Sequence, residues 1–222
     1  MRRLPFLLML LMAACTGGQQ TAVATGNAAP RHIVVFGDSL ALGDGASDPA
    51  DAFAFRLFRR ISASAPGSEI SSHAVGGARI ADAVRWQLPL AEHELASDVW
   101  IIVGGNDVTH GTSAAAFGRD EFRLVHGVRQ RWPQARIVVF GVPDVARSPI
   151  FTGDVRRGFQ RRAAEMSAAA REAARSAGGR FVDLYAFSDH VLDAERDLSS
   201  DEFHPNDRGH AAIAAFAYPT VR

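Results

Sequence analysis

The chain has 222 residues, with 24 basic side chains against 24 acidic ones, 47% hydrophobic residues and 22% charged residues. That length and composition suit one ordinary domain with a buried core, and the zero net charge argues against a nucleic-acid partner, which calls for a basic surplus. Every basic residue is Arg, which excludes a lysine Schiff base and the lysine of a phosphate-binding loop, and the one Cys excludes an internal disulfide or a zinc site of paired cysteines.

The chain opens with Arg2-Arg3 and a compact apolar stretch from Leu4 to Met12. The stretch is too short for a membrane-spanning helix, which needs about 20 apolar residues, and has the order of an export signal. Ala13-Ala14 then lead to Cys15, and Met12-Ala13-Ala14-Cys15 resembles the lipobox of bacterial lipoproteins, with Met where Leu is more usual. The resemblance implies lipidation of Cys15. The Gly-, Gln-, Thr- and Ala-rich run from Thr16 to Pro30 would serve as its tether. The other reading is an ordinary cleaved signal peptide and a secreted or periplasmic product. In both, the protein is exported.

From Arg31 onward, short apolar runs alternate with amphipathic ones. His32 to Phe36 is β-branched and nearly continuous, as in a strand buried on both faces of a parallel sheet. A helix with Phe53, Leu57 and Ile61 on one stripe follows, then a weaker strand over Glu69 to Val75. Asp98 to Val103 predicts the third strand. Phe122, Val125 and Trp132 predict a helix, weakened by Gly118 and Gly127. Arg136 to Phe140 predicts the fourth strand. The next helix has a stripe of Val155, Phe159, Met166, Ala170, Ala173 and Ala177, with Asp154 placed to cap it. Arg180 to Tyr185 predicts the last strand, and a helix from near Asn206 buries Ile213 and Phe216. This alternation implies α/β architecture, a parallel sheet with helices on both faces. Ligands of such folds bind beyond the carboxyl ends of the strands.

Four of the loops at that edge carry polar groups. Gly37-Asp38-Ser39 follows the first strand, and a serine becomes a nucleophile once a neighbouring base takes its proton. Gly76-Gly77 follows the second and lets backbone amides approach a ligand. Gly104-Gly105-Asn106-Asp107 follows the third, where an Asn amide can donate to a developing oxyanion. Asp201-Glu202-Phe203-His204 precedes the last helix. His is the usual general base near neutral pH, and a carboxylate three residues earlier can fix its tautomer. Asp107-Val108-Thr109-His110 has the same spacing, and the residues alone leave both pairs open.

Taken together these loops resemble the GDSL, or SGNH, hydrolase family, whose markers are Ser in G-D-S, a Gly, Asn in G-x-N-D and a late D-x-x-H. They map to Ser39, Gly77, Asn106 and His204, with Asp201, in order across Arg31 to Arg222. Spacing favours Gly77 over Gly76. The resemblance implies a three-layer α/β/α sandwich, flavodoxin-like in its parallel sheet. It also implies a catalytic triad of Ser39, His204 and Asp201, and an oxyanion hole from the Ser39 and Gly77 amides and the Asn106 side chain. The chain then divides into a signal peptide over 1–14, the anchor cysteine and tether over 15–30, and a hydrolase domain over 31–222.

The function expected is a serine carboxylic ester hydrolase without cofactor or metal. It would act on a small-molecule, lipid or glycan ester, with a membrane contact through Cys15. G-x-S-x-G and H-E-x-x-H are both absent, against an ordinary α/β-hydrolase and a zinc protease. The segment Gly141 to Phe151 is expected to shape the acyl pocket, with Arg147 as a solvated surface charge. Two rivals are a carbohydrate O-acetyl esterase of envelope or extracellular glycans and a non-catalytic glycan- or partner-binding lipoprotein.

Overall fold

The computed structural model describes residues 28–190 and 192–222. The signal peptide, Cys15 and most of the tether lie outside the described residues. Five strands form one parallel sheet: β1 (His32–Gly37), β2 (Glu69–Ser72), β3 (Asp98–Ile102), β4 (Arg136–Phe140) and β5 (Arg180–Val182), in the spatial order β2-β1-β3-β4-β5. The near-continuous apolar runs arise because the central strands are covered on both sides. Val34, Phe36, Val99, Ile101, Ile137 and Val139 face one core; Ile33, Val35, Trp100, Ile102, Val138 and Phe140 face the other.

The first core is closed by α3 (Ile80–Asp82), α6 (Ala114–Arg131) and α7 (Gly153–Ser176). A π-helical turn, Ala83–Gln87, joins α3 to α4 (Leu88–Leu90). The second core is closed by α2 (Phe53–Ser64), α8 (Leu184–His190) and α10 (Asp207–Val221). The outcome is the expected three-layer sandwich. The strand order reverses between β1 and β3, so the crevice beyond their carboxyl ends is the place for a ligand in this topology. Gly37 is in register with Ile102, which brings the segments after β1 and β3 to the same level.

Several expectations are corrected. The second strand stops at Ser72, and the apolar run from Arg180 breaks after Val182 into α8. Asp183 ends the strand because its Oδ1 accepts the Ala186 N–H (3.1 Å), a local cap that favours a helical turn. Phe122 is exposed and stacks on His126 at 3.9 Å; the inward positions of α6 are Phe117, Glu121, Leu124, Val125 and Val128. Val155 and Phe216 are also exposed. At 24 residues α7 is about 36 Å long, more than strands of three to six residues can span. Asp154 caps nothing: it stands in the first turn, paired with Arg157, and Thr152 is the N-cap residue without a side-chain bond.

Candidate active site

The segment after β1 is held from three sides. Gly37 exchanges two hydrogen bonds with the buried side-chain amide of Gln87, each 2.8 Å. A Cβ on Gly37 would stand 2.4 Å from Ile102 O and 2.5 Å from Ala41 Cβ, so only glycine lets β3 and the next helix come this close. Asp38 then caps α1 (Ser39–Leu42): its Oδ1 accepts the Leu40 N–H (3.0 Å) and its Oδ2 the Gly104 N–H (3.2 Å), coupling the ends of β1 and β3. Burial pushes the Asp38 carboxyl up to about 6; the Leu40 and Gly104 amides moderate the rise. Ser39 heads the helix with its N–H at the helix start.

Across the crevice, the loop before α10 presents His204. Its Nε2 lies 2.9 Å from Ser39 Oγ, and its Nδ1 lies 2.6 Å from Asp201 Oδ2. The other Asp201 oxygen accepts from Ser199 Oγ (2.6 Å), Phe203 N (2.9 Å) and His204 N (2.9 Å). Partial burial opposes ionisation of Asp201, but the bonds from Ser199, His204 and the Phe203 amide outweigh it and hold the carboxyl well below the usual range. A carboxylate fixed this way orients the imidazole that bonds to it.

The turn that aims Asp201 at these amides contains Glu202 at φ 58°, the one non-glycine residue with positive φ among the described residues. Such conformations are uncommon outside glycine and cluster at functional sites. Downstream, Asn206 locks the loop. Its Oδ1 caps α10 through Arg208 N and Gly209 N, and its Nδ2 donates to Arg196 O and Leu198 O. The backbone of Gly45 packs against His204 and Pro205: a Cβ there would lie 2.3 Å from Pro205 O and 2.9 Å from His204 Cβ.

The third part comes from α5 (Gly105–Thr109) after β3. Asn106 Nδ2 donates to Ala78 O (3.1 Å), and Asp107 Oδ2 accepts the Ile80 N–H (2.9 Å). Gly77, at φ 78° and exposed, is therefore in a turn suspended from α5 just ahead of two bonds. An Asn amide has two hydrogens, so one remains for a ligand. The second D-x-x-H does not come together as a pair. Asp107 is buried and serves Ile80, while His110 is exposed with Nδ1 at 3.0 Å from both Thr109 Oγ1 and Asn106 O. Burial raises the Asp107 carboxyl, against the Ile80 amide bond and the Thr112 side chain, which lower it.

Sequence reasoning passed over Gln87, the doubly bonded role of Asp38, and Asp107 as a support. The signals were present: a lone amide in an apolar helical stretch, and acidic residues where a backbone turn needs acceptors.

Two depressions flank His204. One is a cleft with largely apolar walls, running from Ser39 and Asn106 past Val145 toward Leu184, Phe187 and Ile213, with Phe203 at its side. Asp144 and Ser188 are polar residues in the lining, and Arg147, half-buried, also lines it and is not simply a solvated charge. The other is shallow and formed by Leu42 to Ala46 and Pro49 beside Asp201 and His204.

With this geometry in place, the family model of the GDSL-like Lipase/Acylhydrolase family matches residues 35–212. The chain belongs to that family. Comparison with curated proteins finds no match. Similar folds occur in the psychrotrophic esterase EstA from Pseudoalteromonas sp. (16% identity, 86% of this chain and 96% of that one, TM-score 0.66). They also occur in phospholipase A1 from Streptomyces albidoflavus NA297 (21% identity, 87% and 100%, TM-score 0.64) and in a Clostridium thermocellum family 3 carbohydrate esterase (17% identity, 86% and 94%, TM-score 0.67). Membership in this family makes the chain an ester-hydrolysing enzyme by class, and the sheet is that of the GDSL fold.

Proposed function

We propose that this GDSL hydrolase cleaves carboxylic acyl esters through a covalent acyl-enzyme on Ser39. The observation that carries the reading is the chain of contacts from Ser39 Oγ to His204 Nε2 and from His204 Nδ1 to Asp201 Oδ2. Ser39 Oγ attacks the ester carbonyl carbon while its proton moves to His204 Nε2. The carbonyl oxygen becomes an oxyanion, held by the amides of Ser39 and Gly77 and the free hydrogen of Asn106. The tetrahedral carbon expels the alcohol, which takes the proton from His204. Water then repeats the sequence on the acyl-enzyme, and Ser39 recovers its proton.

The apolar cleft next to Ser39 and Asn106 suits the acyl chain, and the shallow side next to His204 suits the alcohol that His204 protonates. A cleft with Leu184, Phe187 and Phe203 in its walls favours an acyl chain longer than acetyl. The carbohydrate O-acetyl esterase remains the second reading, supported by the open alcohol side, which leaves room for a sugar. The test is a panel of esters varied in acyl length and in alcohol, run on the protein and on Ser39→Ala. We expect a preference for acyl chains of several carbons, loss of turnover in Ser39→Ala, and labelling of Ser39 by a fluorophosphonate. Acetate release from acetylated glycans with no turnover of longer esters would select the second reading. An unlabelled serine and no turnover would select a binding role. We also propose that Cys15 carries a lipid anchor. A fatty-acid analogue should label the wild type and not Cys15→Ser.

A further inference from the structure

Glu121 occupies the inward position on α6 that the apolar pattern assigned to Phe122. It is 1% exposed, and neither of its carboxyl oxygens has a hydrogen-bond partner. A carboxylate stripped of water and left unpaired neutralises instead of staying ionised. Burial, with the charge of Asp107 adding to it, pushes Glu121 up to about 8.

Asp107 is its counterpart on α5. One Asp107 oxygen accepts from Ile80 N, while the other is buried without a partner. The Thr112 side chain and Arg79 at the start of α3 favour the ionised Asp107, and Asp82 opposes it. Asp38 feels the Asp107 charge from the β1 side. From α7, Arg162 donates to the carbonyl of Val108 at 2.5 Å, so this cation is engaged with backbone. The charge acting on Glu121 itself is that of Asp107. A protonated acid has one O–H to give, and Asp107 has one buried oxygen with nothing to accept.

We propose that Glu121 is a positioning residue that works as a neutral acid, sheltering the buried Asp107 carboxylate so that Asp107 holds the Gly77–Ile80 segment against Asn106, and that ionisation of Glu121 releases this hold. In alkaline solution Glu121 gives its proton to hydroxide. Two like charges then share a desolvated interior, which they cannot both keep. Asp107 takes up a proton or turns away, and the Ile80 N–H loses its charged acceptor. The Gly77 turn then keeps only the Ala78–Asn106 bond of its two ties to α5, and the amide it would offer an oxyanion is displaced. The kinetic consequence rests on the oxyanion reading given above; the state of the carboxyl does not.

The experiment compares wild type with Glu121→Gln, which keeps the shape and cannot ionise. In wild type, kcat should fall reversibly at least tenfold above about pH 8, short of the roughly hundredfold or greater cost of removing an oxyanion donor outright. In Glu121→Gln the limb should be gone, with kcat at neutral pH within about twofold of wild type. Infrared difference spectra should show a protonated carboxyl at neutral pH that the variant lacks and that disappears over the same pH range. Hydrogen exchange at Ile80 should accelerate with that loss in wild type alone. A purely packing role for Glu121 would leave the two pH profiles alike, and that result overturns the proposal. So does the absence of the carboxyl band from wild type at neutral pH. Should Glu121→Gln fail to fold, Glu121→Met replaces it, and the wild-type band and Ile80 exchange decide. If no ester is turned over, the oxyanion reading fails, while the spectra and exchange still judge Glu121.

Discussion

His204 Nε2 stands 2.9 Å from Ser39 Oγ although 165 positions separate them in the chain. Each is fixed by its own local device: Ser39 by the Asp38 cap and the Gln87 clamp on Gly37, His204 by Asp201 and by the Asn206 lock before α10. The hydroxyl and the imidazole thus meet without either element having to move.

The first prediction separates this pair from the other D-x-x-H. Ser39→Ala and His204→Ala should each lower kcat by roughly four to six orders of magnitude, with circular dichroism unchanged. His110→Ala should keep activity within about threefold, because an exposed surface side chain carries little energy and no contact of His110 reaches Ser39. Single-turnover acylation with a chromogenic ester is the measurement. A severe loss in His110→Ala would mean that the wrong histidine had been assigned.

Asn106→Ala should cost about a hundredfold to a thousandfold in kcat with little change in KM, the signature of a donor used in the transition state. Asn106 also donates to Ala78 O, so part of the loss would come from a slackened Gly77 turn. Asn106→Asp keeps the size and loses the donor, and it should be at least as poor. A rise in KM with kcat preserved would instead make Asn106 a ground-state binding group.

The sheet and the polar loops that line the candidate site were legible in the residues because both obey local rules. Strands buried on two faces read as unbroken β-branched runs, and Gly, Asn and Asp stand where turns need them. What was not legible came from tertiary placement. Phe122 and Val155 look like core residues by spacing, yet α6 turns Glu121 inward and α7 extends beyond the sheet. Asp107 and Asp201 head identical four-residue patterns, and only the fold shows one tied to Ile80 and the other to a histidine. The positive φ at Glu202 has no signature in a glutamate.

The apolar cleft gives a specificity prediction. Val145 is half-buried in its wall, close to Gly105 beside Asn106. Val145→Phe adds bulk there, so kcat/KM for long acyl esters should fall about tenfold or more while acetyl esters are nearly unaffected, since a few methylenes of apolar burial carry about 0.8 kcal/mol each. The ratio of kcat/KM values across an acyl series is the readout. An unchanged series would place the acyl chain elsewhere, on the side of Leu42 and Pro49.

Asp38 makes stability depend on pH in a calculable direction. Its folded carboxyl is raised to about 6 from an ordinary value of 3.8, first by burial. A raised acid contributes stability fully below about 3.8, loses it as pH climbs to about 6, and changes nothing beyond. Asn at this position does not titrate. It also leaves one of the Leu40 and Gly104 amides without its acceptor, an offset of about 1–3 kcal/mol that is constant with pH. Denaturant unfolding of wild type and Asp38→Asn should therefore differ most in favour of wild type near the acid end. The gap should narrow by on the order of 2–3 kcal/mol by neutral pH. Since Asp107 and Glu121 titrate in both proteins, taking the difference largely cancels them. A gap that stays constant across this range would mean that Asp38 is ionised in the fold as easily as in water, and that the two amides compensate its burial in full.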